Sequence, residues 1–225
     1  MKIELHAHSR EISPCGHLSV DELTSRYRDA GYQVVVLTNH FNTDVANALA
    51  ARGADDFPRV YFDCIDRAAE IGRTKGVLVL PGCELRLDRN ANDYLVFGMT
   101  AEHCRQWRDI CAMSAADFGA FARENGILFY QAHPFRNGMT VVNPANLFGI
   151  EVQNTHPRHD SRNEIAAAWA ERFHLHKIAG SDCHQVQDVG TSAIITDETV
   201  RNEEDLVEIL KNDRFTIIRE PQKGL

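Results

Sequence analysis

The sequence predicts an α/β fold with a mainly parallel sheet, closed or nearly closed into a barrel. Three observations predict it. Short apolar runs such as Val34-Val35-Val36-Leu37 and Ile127-Leu128-Phe129-Tyr130 read as buried strands. Segments with helix-capping signals alternate with them, and a repeated strand-then-helix order implies a parallel sheet. About seven such units fit within 225 residues, a length that suits one α/β domain spanning residues 1–225.

The elements follow in order. The chain opens on a strand, Ile3-Glu4-Leu5-His6-Ala7-His8. Ser19-Val20-Asp21-Glu22 has capping-box spacing and starts a helix over 19–30, with Leu23, Tyr27 and Ala30 on one face and Gly31 to stop it. A strand at 34–39, a helix at 58–74, a strand at 77–84 and a strand at 93–98 come next. Ser114 starts a helix over 115–125 that aligns Phe118, Phe121 and Ala122 and ends at Asn125-Gly126. Strands at 127–132 and 149–153 follow. A helix over 162–173 is expected after Ser161, with Glu164 completing the cap and Ile165, Ala168, Trp169 and Phe173 facing inward. Strands at 177–181 and 192–196, a helix at 203–211 and a strand at 215–219 complete the chain.

Composition narrows the function classes. The net charge of −8 argues against a nucleic-acid backbone as the main partner, which favours a basic surface. The six cysteines form no CxxC pair, so reduced thiols and a cytoplasmic location are expected. No apolar run is long enough for a membrane span, and no signal-peptide-like segment is visible at the start.

Residues able to carry chemistry sit where the strands end. They are His6 and His8, two residues apart and so on one side of a strand, then His40, Glu84, His133, Asp182 and His184. Each alone has an ordinary reading, as a satisfied polar pair, a strand terminus or a solvated loop residue. Gathered at the same end of successive strands, they are a donor set for metal ions.

The same residues lie in motifs that resemble the PHP (polymerase and histidinol phosphatase) family. The motifs are His6-Ala7-His8, Thr38-Asn39-His40, Gly82-Cys83-Glu84, Ala132-His133-Pro134, Gly149-Ile150-Glu151-Val152-Gln153-Asn154 and Gly180-Ser181-Asp182-Cys183-His184, in family order over about residues 3–190. The resemblance implies a distorted (β/α)7 barrel, TIM-barrel-like, holding two or three divalent ions, Zn, Mn or Fe. By position, one ion would take His6, His8, Glu84 and Asp182. A second would take Glu84 and His133. A third would take His40, His184 and a residue of the loop after the first strand.

Three departures from the family pattern stand out. The loop Ser13-Pro14-Cys15-Gly16-His17 places Cys15 where the family often has an aspartate, with His17 two residues on; either could ligate, and a turn cysteine and a surface histidine are the plain alternatives. Asn39 replaces an aspartate, which removes a charge behind the ligands and is expected to loosen His40. Asp93-Tyr94-Leu95 stands where some members carry a further histidine.

The expected function is hydrolysis of a small phosphorylated metabolite by a metal-activated hydroxide, with Glu84 bridging ions and Asp182 moving a proton. Arg136, Arg158 and His159, near the strand ends, are candidates for holding the substrate anion, since the arginine fork matches phosphate oxygens. His156 could be a ligand but reads more plainly as a spare loop histidine, and His103, His174 and His176 read as structural. Alternatives are hydrolysis of a C–N or carboxylic ester bond, a nuclease, or a non-catalytic metal-stabilised module. The substrate, the metal and the oligomeric state are not legible in the sequence.

Overall fold

The apolar runs form strands and the capped segments form helices in the expected order, in a computed structural model that describes residues 1–219. The elements are β1 (Lys2–Ala7), α1 (Val20–Asp29), β2 (Val34–Leu37), β3 (His40–Phe41), α2 (Thr43–Ala50), α3 (Phe57–Lys75), β4 (Leu78–Pro81) and β5 (Cys83–Arg86). Then come β6 (Asp93–Phe97), α4 (Ala101–Cys104), α5 (Trp107–Ala112), α6 (Ala115–Glu124), β7 (Leu128–Gln131) and β8 (Gly149–Asn154). α7 (Asn163–Phe173), β9 (His176–Gly180), β10 (Ser192–Ile195), α8 (Glu203–Lys211) and β11 (Thr216–Arg219) follow.

The strands form two sheets, ordered β11-β10-β1-β2-β4 and β3-β5-β6-β7-β8-β9. Both are mixed, which corrects the expected mainly parallel sheet. β1–β2, β2–β4, β3–β5, β7–β8 and β8–β9 are parallel. β1–β10, β10–β11, β5–β6 and β6–β7 are antiparallel. Between β5 and β6 the physical reason is plain: the connection at 87–92 is too short for the crossover that a parallel pair needs.

The sheets meet end to end. The expected strand over 77–84 is two strands, β4 and β5, which belong to different sheets. The break falls at Gly82, where a Cβ would lie 2.8 Å from Val36 Cγ1 and 3.0 Å from Thr38 Cγ2. At the other side a parallel bridge joins Ala7 to Cys183, with His8 N–H donating to Cys183 O at 2.9 Å and Cys183 N–H to His6 O at 3.1 Å. Gly180 permits that approach, because a Cβ there would overlap His6. Ile3, Leu5, Val34, Leu95, Phe97 and Ile178 form one buried cluster drawn from both sheets. The helices α1, α3 and α6 bury Leu23, Tyr27, Tyr61, Ile65 and Phe118 in a second.

The capping boxes at Ser19/Glu22 and Ser114/Asp117 form with both bonds present. The helix at 163–173 differs from expectation. Its N-cap is Arg162, with no side-chain cap bond, and it buries Ala166 and Ala170. Ile165, Ala168 and Phe173 are exposed and Trp169 is half-buried against Phe135. Two small alanines let the helix lie close on the sheet, which turns the bulky positions away. Among the described residues, no helix is long and apolar enough to cross a membrane.

Candidate metal centre

Seven of the nine residues singled out as ligands converge where the two sheets meet. His6 and His8 come from the end of β1, His40 from β3, Glu84 from β5, His133 from the turn after β7, and Asp182 and His184 from the loop after β9. His133 and Asp182 hold positive φ of 29° and 54°, a conformation that costs energy in a non-glycine residue and gathers at functional sites.

The distances are short. His6 Nε2 lies 3.4 Å from Glu84 Oε1 and 3.4 Å from Asp182 Oδ1. His8 Nε2 lies 3.3 Å from Glu84 Oε2 and 3.5 Å from Asp182 Oδ1. His133 Nε2 is 3.0 Å from Glu84 Oε1, and His40 Nδ1 is 2.8 Å from Glu84 Oε2. Ligand atoms group compactly as His6/His8/Asp182, His6/Glu84/His133 and His8/His40/His184. Glu84 thus faces four imidazoles, His6 and His133 through Oε1 and His8 and His40 through Oε2.

A buried polar atom without a hydrogen bond is costly. Five sit here, namely His6 Nε2, His8 Nε2, His40 Nδ1, Glu84 Oε2 and His133 Nδ1. The outer nitrogens of the first two histidines are meanwhile fixed. His6 Nδ1 is held by Glu151 Oε1 at 2.9 Å and His8 Nδ1 by Ser13 Oγ at 3.2 Å. That leaves Nε2 of each ring free to ligate. Divalent cations fit this donor set of neutral imidazoles and carboxylates.

Electrostatics point the same way. Burial pushes His6 toward its neutral form, but Asp182, Glu151 and Glu84 outweigh it and raise its pKa well above the ordinary value. Burial also opposes ionisation of Glu84 and Asp182, yet the neighbouring imidazoles, with Arg136 beside Asp182, hold both well below the usual carboxylate range. Burial lowers His8, and the nearby His184 and His40 push it further down. The carboxylates demand cationic charge, which protons on His6 supply when no metal does.

Sequence reasoning missed the role of Glu151. It is fully buried, it holds His6, and its other oxygen accepts from His133 N–H at 2.9 Å and Asn154 Nδ2 at 2.9 Å. A glutamate between Ile150 and Val152 in an apolar run was the available signal. Asn39 does not act on the His40 ring as expected. Its Oδ1 accepts from Ser9 N–H at 2.7 Å and Ser13 Oγ at 2.9 Å, so it serves His8 through Ser13. Asp93 reaches the group His40/Glu84/Asp93 but is bound by Arg86 Nε at 2.7 Å and Nη2 at 2.8 Å.

At the mouth, Cys15 Sγ sits 3.2 Å from His40 Nε2 and 3.1 Å from His184 Nε2. Burial would raise its thiol, but bonds from these two rings bring it down to about 6. His17 is exposed and lines the same cleft.

The cleft has a volume of about 380 Å³ and contains no aliphatic or phenyl side chain in its lining. Arg136 enters it with Nη2 bonded to Asp182 Oδ2 at 2.7 Å and Asn154 Oδ1 at 2.9 Å, while its Nε–H has no partner. Arg158 is tied to Asp188 through Nη1 at 2.9 Å and Nη2 at 2.6 Å. His156, expected to be a spare loop residue, is buried in the lining, takes a bond from Arg158 Nη2 at 3.0 Å and stacks on the exposed His159 at 4.8 Å. His103 caps a short helix and His176 pairs with Asp213, both away from the cleft.

Comparisons with known proteins agree with this fold. A family model described as PHP-associated (PHP_C) matches residues 160–215. No curated protein matches the chain. Among solved structures, PsfC from Pseudomonas syringae PB-5123 is 18% identical, with a TM-score of 0.71 over 98% of this chain and 92% of that one. A two-domain protein from Bacteroides vulgatus ATCC 8482, containing a predicted PHP-like metal-dependent phosphoesterase, is 19% identical with a TM-score of 0.67, over 97% of this chain and 64% of that one. An amidohydrolase from Chromobacterium violaceum with bound sulfate is 17% identical with a TM-score of 0.59, over 97% and 98% of the two chains. Endonuclease Q in complex with an abasic duplex is 14% identical with a TM-score of 0.59, over 94% of this chain and 56% of that one. The family match and the PHP-like neighbour support the resemblance drawn from the motifs.

Proposed function

We propose that this PHP-like chain is a metal-dependent phosphoesterase acting on a small phosphorylated metabolite. One observation carries the reading: the buried, unpartnered His6 Nε2, His8 Nε2 and His40 Nδ1 all face the carboxylate of Glu84, at 3.4, 3.3 and 2.8 Å. His6, His8, Glu84, His133 and Asp182 would hold two ions, and His40, His184 and a loop residue a third. We read the two abutting sheets as a distorted barrel that presents these strand ends together. The metal-dependent hydrolases among the structural neighbours support the broader class.

Divalent ions bound there supply Lewis acidity, a lowered pKa for water and charge neutralisation at phosphorus. The rest falls to the chain's own residues. Glu84 sets the separation of the ligand groups, because its two oxygens face different histidines. Asp182 would move a proton. Its Oδ2 is anchored by Arg136 while its Oδ1 faces the rings of His6 and His8. Arg136 can add its unpartnered Nε–H to a non-bridging phosphate oxygen. Arg158 is largely committed to Asp188 and assists from further out through His156, with His159 at the rim. A cleft lined by charged, imidazole and amide side chains suits a small, heavily hydrated anion better than a hydrophobic ester.

The C–N reading keeps one supporting observation, the likeness to an amidohydrolase. The nuclease reading rests on the likeness to Endonuclease Q, against which the net charge of −8 counts. One screen separates them. The protein loaded with Mn, Zn or Fe is assayed for phosphate release across a metabolite panel, beside amide, lactone and abasic-duplex substrates. Turnover of a phosphomonoester supports the proposal. Cleavage confined to an amide, a lactone or DNA would overturn it.

A further inference from the structure

We propose that Cys15 is the loop ligand of the mouth position, and that its thiolate makes this position a soft-metal site beside a harder, carboxylate-bearing floor. The inference rests on reading the cluster as a metal centre and extends that reading to which metal each part prefers.

The loop that carries Cys15 is fastened on both sides to the residues that flank the sulfur. Two residues before it, Ser13 Oγ accepts from His40 N–H at 3.0 Å. Two residues after it, His17 N–H donates to His184 O at 2.8 Å. The turn closes through Gly16 N–H to Ser13 O at 2.9 Å, and a Cβ on Gly16 would come within 2.8 Å of the Ser9 backbone. Sγ is therefore set between His40 Nε2 and His184 Nε2 by main-chain geometry. A second observation points to a ligand: His8 is fully buried, its Nε2 has no partner, and it falls in one ligand group with His40 and His184.

The imidazoles of His40 and His184 with one thiolate form a nitrogen–sulfur set that favours zinc-like ions, whereas carboxylate-rich sites suit manganese or magnesium. His17, two residues on, has its backbone committed to His184 and an exposed ring, so the sulfur fills the position. Binding exchanges the S–H bond for a metal–sulfur bond and releases one proton to solvent.

Cobalt(II) titration of the full chain tests this without substrate. A thiolate bound to cobalt gives an intense charge-transfer band in the near ultraviolet. The wild type should develop that band at an intensity equal to about one thiolate per chain. Cys15→Ser and Cys15→Asp should lose it while keeping the weaker visible bands of cobalt bound by nitrogen and oxygen. Cys15→Asp should also shift the retained zinc-to-manganese ratio toward manganese by about tenfold or more. A wild type without the band, or a band that survives in Cys15→Asp, would overturn the proposal; in the second case one of the buried cysteines would be its source. The band is independent of catalysis. If it appears and no phosphate ester is cleaved, the function reading fails and the mouth site stands. If hydrolysis proceeds without it, the reverse holds.

Discussion

At the floor of the cleft, His6, Glu84, His133 and Asp182 keep between 0% and 3% of their side-chain surface exposed. At the mouth, His40 and His184 keep 18% and 12%, and Cys15 is exposed. The floor is also backed by charge from outside the cluster, since Glu151 holds both His6 and the His133 backbone, while His184 Nδ1 rests on the Asp182 carbonyl at 2.8 Å. Burial makes the floor an all-or-none assembly, where removing one charge leaves others unpaired in a low dielectric. The mouth can exchange a ligand or an ion with less disturbance. A rigid floor with an adaptable rim lets one scaffold keep its chemistry and vary its metal or substrate.

The largest expected effect lies at the floor. Glu84→Gln replaces a carboxylate that faces several imidazoles with an amide that cannot share charge between two cations. It should lose at least one ion by elemental analysis and lower kcat/KM by on the order of 10³-fold or more. Full metal content in this variant would break the distinction between floor and mouth. Next comes Arg136→Ala, expected to lower kcat/KM by about 10²-fold when assayed with excess metal, because arginine cannot ligate but does anchor the Asp182 carboxylate. Arg158→Ala should cost less, since its guanidinium is already held by Asp188. Wild-type kcat/KM in both would place the anion pocket elsewhere. Glu151→Gln probes the backing directly. It should weaken metal affinity by about 10-fold to 100-fold at the floor, measured by chelator competition, and leave the mouth unaffected.

The donor residues were legible because each lies in a short local motif at the end of an apolar run. What the motifs could not show is how residues far apart in sequence meet. Glu4 binds Ser181 N–H at 3.0 Å across nearly the whole chain, and Glu151 reaches His6. Neither pairing has a local signature. The helices α2, α4 and α5 escaped notice because they are short and carry little periodicity. Antiparallel pairing at β10 and β11 was hidden because α8 connects them as a crossover helix would. The face of α7 was misjudged because alanine packing, not bulk, decides which side meets the sheet. Cys15 and His17 could not be ranked from spacing alone, since their difference lies in how the loop is fastened.

The smallest effect sharpens the comparison from outside the cleft. Glu203 opens α8, and its Oε1 accepts from Gly98 N–H at 3.0 Å. It is half-buried, and no histidine cluster faces it. Burial therefore dominates and lifts its pKa from 4.5 to about 6, with Glu204 adding to the rise, opposite to the shift at Glu84. The folded state then holds a proton more tightly than the unfolded one, so this group's contribution to stability is complete below about pH 4.5 and lost as pH rises through about 6. A shift of this size corresponds to about 1–2 kcal/mol after allowance for partial exposure. Glu203→Gln keeps an oxygen for Gly98 and removes the charge. In urea unfolding of metal-loaded protein, it should be more stable than wild type by about 1–2 kcal/mol near pH 7.5, with the difference shrinking as pH falls and vanishing below about pH 4.5. Metal release on unfolding is common to both proteins and cancels in the difference. A variant no more stable than wild type near pH 7.5 would show that the Gly98 contact, rather than burial, governs this carboxylate. The contrast with Glu84 would then rest on the cleft alone.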